Sequence, residues 1–67
     1  MYANLKAEMA RRGITSTQLS KVIGVTIQTF SKKINGQSDF TLSEAYQIKE
    51  FLLIDMPIEE LFKETNI

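Results

Sequence analysis

Apolar residues recur along this chain three or four positions apart, and short polar clusters between them mark where each helix starts and stops. Leu5 and Met9 predict a first helix over residues 2–12 with Tyr2 at the edge of its buried stripe, ended by Arg11, Arg12 and Gly13. Leu19, Val22 and Ile23 predict a second over 16–23, with Ser16 or Thr17 as its N-cap. Gly24 stands where the chain must leave that helix through a left-handed conformation, which a residue without Cβ adopts freely. Val25 plugs the corner, and Thr26 caps a third helix over 27–34 that carries Phe30 and Ile34 at i, i+4. Asn35-Gly36 closes it.

The second half follows the same logic. Gly36-Gln37-Ser38-Asp39 reads as a polar turn with Phe40 after it as a core anchor. Thr41 and Glu44 match a capping box, and the buried stripe behind it is Leu42, Ala45, Ile48 and Leu52, flanked by Tyr46, with an end near residue 53. Asp55-Met56-Pro57 interrupts the helix, because proline disfavours helical backbone in the residue before it and itself suits a first helical position. Residues 57–63 then form a short last helix with Ile58, Leu61 and Phe62 apolar and Glu59 and Glu60 near its positive end. Five helices and no strand make an all-α fold. With no repeat, linker or low-complexity stretch, residues 1–67 read as one domain.

Two short helices joined by a glycine-containing corner are the pattern of a helix-turn-helix, here spanning about residues 16–35. A plain helical hairpin in a bundle would also need a glycine corner and apolar i, i+4 pairs. The third helix argues for more than that. Outside Phe30 and Ile34 it carries Gln28, Thr29, Ser31, Lys32 and Lys33, rich in hydrogen-bond donors and without one acid, whereas a merely solvated face mixes both signs.

The residues of this stretch resemble the Cro and phage-repressor type of helix-turn-helix regulators, the XRE class. Leu19, Ser20, Gly24, Val25, Thr26, Thr29-Phe30-Ser31 and Asn35-Gly36 carry the resemblance. It extends through residues 4–11 with Gly13-Ile14-Thr15 on one side and residues 38–45 on the other. Ser20 stands where many members have alanine, and Ile34 where many have glutamate before Asn-Gly. The resemblance implies a five-helix lambda-repressor-like DNA-binding domain and a regulator, most simply a phage-type repressor.

Composition narrows the function classes. The 67 residues include no cysteine and no histidine, which removes disulfides, thiolate ligands and the usual general base; neither an enzyme, a metal nor a cofactor is expected. The longest apolar run, residues 51–54, is far short of the ~20 residues that span a bilayer, and the N-terminus lacks the apolar core of a signal peptide. A cytoplasmic location, no membrane and no small-molecule substrate are the expectations. Formal net charge is zero, but residues 1–36 carry six cations against Glu8 alone, a net of plus five, while residues 37–67 carry the compensating minus five. The basic half coincides with the helix-turn-helix, which suits a polyanionic partner.

Double-stranded DNA is therefore the expected partner, with the helix 27–34 in the major groove. Ile27, Gln28 and Lys32 are the expected base contacts: an apolar touch on a thymine methyl, a bidentate bond to adenine, and bonds to guanine O6/N7. Ser16, Thr17, Thr26, Thr29, Lys33, Asn35 and Ser38 are the expected phosphate contacts, a role that the resemblance also implies at the matching positions. Arg11 and Arg12 fit either backbone contact or simple electrostatics at a helix C-terminus. Phe51, Leu53, Ile54, Met56 and Phe62 exceed what the last third of so small a domain buries with ease, so part of that set is expected to form a homodimer interface on a pseudo-palindromic operator. The competing possibilities are that all five fill the monomer core, and that the scaffold is a protein-interaction module or antitoxin.

Overall fold

The computed structural model describes residues 2–64 and contains five helices: α1 (Ala3–Arg12), α2 (Ser16–Ile23), α3 (Ile27–Ile34), α4 (Leu42–Leu52) and α5 (Ile58–Leu61). The expected all-α order is thus present, with α1 to α4 close to their expected bounds and α5 shorter than the expected 57–63. Each helix sends one fully buried side chain to the centre: Leu5, Leu19, Phe30, Ile48 and Leu61. α4 lies against α1, α2 and α5, and α2 against α3, so α4 is the post around which the motif is held.

A second layer is aromatic. The Phe40 ring meets Tyr2, Phe30 and Phe62 edge to face, with centroids 5.3, 5.8 and 5.2 Å away. Such pairs add about 0.5–1.5 kcal/mol each beyond the area they bury. Phe40 is the core anchor expected of it. Tyr2 is deeper than the edge position assigned to it, because its ring closes this cluster while its hydroxyl donates to Glu64 at 3.3 Å. Burial first, and then the Glu64 carboxylate, push the Tyr2 phenol above its ordinary value.

Several expectations need correction. The N-cap of α2 is Thr15, not Ser16 or Thr17: its Oγ1 accepts from the Gln18 backbone N–H at 3.2 Å, and Gln18 Oε1 accepts from the Thr15 N–H at 2.8 Å. This is a complete capping box, stronger than a lone serine cap because two orphan donors are satisfied. Leu42 is 66% exposed rather than buried, since the first turn of α4 projects past the core and the stripe begins at Ala45. Pro57 occupies the N-cap position rather than the first helical one. Of the five C-terminal apolar residues, Ile54 is buried and Met56 and Phe62 pack on the core, leaving Phe51 and Leu53 outside.

Candidate nucleic-acid interface

The corner between α2 and α3 follows from a few atoms. Gly24 takes φ 73°, and its N–H and that of Val25 close back onto Lys21 O and Ser20 O at 3.3 and 2.9 Å. That pair of bonds is a Schellman turn, with Val25 folded onto the core behind it. Ser20 is buried, and its hydroxyl is satisfied inside the fold by donating to Thr17 O at 2.8 Å. Thr26 then starts α3: its Oγ1 accepts from the Thr29 N–H at 3.1 Å and shares a 3.0 Å hydroxyl bond with Thr29 Oγ1. The N–H groups of the first turn that no cap satisfies remain at the positive end of the helix, where an anion is favoured.

α3 has two faces. Phe30, Lys33 and Ile34 are buried at i, i+3, i+4, whereas Gln28 and Lys32, also one turn apart, are exposed, with Asn35 continuing their stripe. Ile27 is 47% exposed at its start. The three expected base-reading residues therefore lie together on the outer side. Thr17, Thr26, Asn35 and Ser38 are exposed around this face, and Ser16 and Thr29 are half-buried.

Lys33 is the exception. It is only 8% exposed, its ammonium donating to Asp39 O at 2.9 Å and pairing with Glu44 Oε1 at 3.1 Å, 5.9 Å from the Phe40 ring centroid. An amine so engaged holds the turn after α3 onto the start of α4, and the phosphate role expected of it is withdrawn. Burial pushes the Glu44 carboxyl up, but the Thr41 N–H and the Lys33 ammonium outweigh it and hold Glu44 below its ordinary value. The arginine pair is also structural in part. Glu8 is buried and takes Arg11 Nη1 on one oxygen and Arg12 Nη1 on the other, each at 2.6 Å. Arg12 Nε further donates to Leu52 O at 2.8 Å, tying α1 to the end of α4.

Sequence reasoning missed one polar residue at this face. Lys6 on α1 reaches across to α3, its Nζ 3.3 Å from Asn35 Oδ1. No spacing rule brings together residues so far apart in the chain. Thr15, by contrast, was readable, since Thr15 and Gln18 match the capping-box spacing.

An α2–corner–α3 unit with a polar, acid-free outer face on its second helix defines a helix-turn-helix DNA-binding domain of the all-α class. The chain belongs to the Cro/C1-type HTH DNA-binding domain family, whose profile matches residues 4–66. No curated protein and no solved structure matches the chain. Family membership carries DNA binding as the chain's activity. Among the described residues no helix is long and apolar enough to cross a membrane.

Proposed function

We propose that this protein is a sequence-specific transcriptional repressor that inserts α3 into the major groove of a pseudo-palindromic operator as a homodimer. The observation that carries this reading is the exposed Gln28–Lys32 stripe on the helix that follows the glycine corner, free of acids. Gln28 reads adenine through paired donor and acceptor, Lys32 reads guanine O6/N7, and Ile27 touches a thymine methyl. Ser16, Thr17, Thr26, Thr29, Asn35 and Ser38 fix the register on phosphates, and Arg11, whose side chain is mostly exposed, adds backbone attraction. The dimer forms through exposed apolar residues of the acidic half, Phe51 and Leu53 with Tyr46.

The test is selection of bound duplexes from a randomised library at about 0.15 M salt, with a Gln28→Ala/Lys32→Ala variant beside the wild type. Enrichment of a pseudo-palindrome that the variant loses is the expected result, with each base contact worth roughly 1–3 kcal/mol on the preferred site. A folded protein that enriches no sequence would overturn the reading in favour of a protein-interaction module or antitoxin.

A further inference from the structure

Beside the read-out stripe lies a cleft of about 460 Å³ between α1, the start of α2 and the end of α3. Its floor is apolar, with Met9 and Ile34, and its polar rim includes Lys6, Ser16, Ser31 and Asn35. Among the described residues no carboxylate lines it, and Glu8, the one acid of the basic half, is turned onto Arg11 and Arg12 instead. Among the described residues Lys6 supplies the cleft's only charge. Its hydrogen bond to Asn35 Oδ1 is long, at 3.3 Å, and exposed, so an anion that offers a charged acceptor displaces little.

Position decides which anion. Ser31 and Asn35 follow Gln28 at i+3 and i+7, so the cleft runs alongside the stripe that faces bases. A duplex with its base edges against Gln28 and Lys32 carries a strand backbone, the wall of the groove, over this cleft. We propose that Lys6, with the Ser16 hydroxyl and the Asn35 amide, seats one phosphodiester of the bound DNA, and that Lys6 is the residue that makes this contact ionic. The proposal rests on α3 reading a duplex, and it assigns to Lys6 the cationic role that burial denies to Lys33.

The experiment measures affinity against salt concentration for the wild type, Lys6→Gln and Lys6→Arg, on a duplex selected by the wild type and on an unrelated one. Lys6→Gln keeps a donor for Asn35 but removes the charge, and thermal melts of each variant establish that it is folded. Expected are a fall of about 0.9 in the slope of log K against log salt for Lys6→Gln, an equal loss on both duplexes, and recovery in Lys6→Arg. An unchanged slope overturns the phosphate seat, and so does a loss confined to the selected duplex, which would make Lys6 a base contact. A wild type that binds neither duplex at low salt defeats the major-groove reading and this proposal together. Normal wild-type binding with an unaltered Lys6→Gln slope defeats the phosphate seat alone.

Discussion

Lys32 and Lys33 are neighbours in sequence with opposite fates, and the 100° step of a helix is the reason. Lys33 falls at i+3 from Phe30 and next to Ile34, on the buried side that meets Glu44 in the first turn of α4, while Lys32 falls at i+4 from Gln28 on the outer side. The spacing contains that division, yet from sequence alone Lys33 reads as part of the polar face beside Lys32, because nothing in the sequence announces that Glu44 and Asp39 O wait there. Lys33→Met is expected to lower unfolding stability by about 1–3 kcal/mol, since it strands a largely buried carboxylate, and to leave the salt slope of DNA binding unchanged. Urea titration and affinity measurements check both halves; a lowered slope with unaltered stability would restore Lys33 to the phosphates. The pH dependence follows from Glu44. Its carboxyl is held below 4.5 in the folded chain, so its stabilisation is complete above the unfolded value and fades as pH falls through the lower folded one. Glu44→Gln should therefore be less stable than wild type at neutral pH, with the gap closing progressively below about pH 4.5.

At the scale of elements, α1 to α4 end the same way. Gly13, Gly24, Gly36 and Leu53 take φ of 66, 73, 85 and 54°, and the next residue's N–H closes onto the carbonyl five positions back. Ile14, Val25 and Ile54 then fold an apolar side chain onto the core, so three of these four turns also serve as hydrophobic plugs. Three of the four ends were readable as glycines. The fourth was placed near residue 53 from the break at Pro57, and its left-handed leucine was invisible because no residue type announces it. For a residue with a Cβ that conformation costs roughly 1–2 kcal/mol, and Leu53 recovers little from packing at 85% exposure. Leu53→Gly is expected to raise the melting temperature of dilute, monomeric protein, by up to about 1 kcal/mol of stability after the entropy that glycine adds to the unfolded chain. A lower melting temperature would mean that the leucine packs on something more than solvent.

The whole molecule presents fewer cations to a partner than the sequence count suggests. Of the six cations in residues 1–36, Arg12 and Lys33 are drawn into the fold, which leaves Lys6, Lys21 and Lys32, with the mostly exposed Arg11 in part offset by Glu8, to attract a polyanion. The other half presents its own unspent surface. Tyr46 and Leu53 lie with Lys49, Glu50 and Asp55 around one shallow depression, and Phe51 is exposed nearby in sequence. An apolar centre rimmed by both signs of charge is self-complementary under a two-fold axis, because the axis can set cation against carboxylate. Of the five residues named by the crowding argument, Ile54, Met56 and Phe62 find room against the core beside the aromatic cluster around Phe40, and Phe51 and Leu53 stay exposed. Leu53 carries the sharpest test of the dimer because it is the most exposed large apolar side chain described, so a charge there disturbs little within the monomer. Sedimentation of the wild type at about 100 µM, a concentration that populates even a weak dimer, is expected to show self-association that Leu53→Glu abolishes. The same variant should keep its helical content and its affinity for a half-site while losing the added affinity for the full palindrome, since two recognition helices about one DNA turn apart must come from two linked copies. A wild type that stays monomeric yet binds the palindrome no less cooperatively would place the coupling in the DNA rather than in this surface.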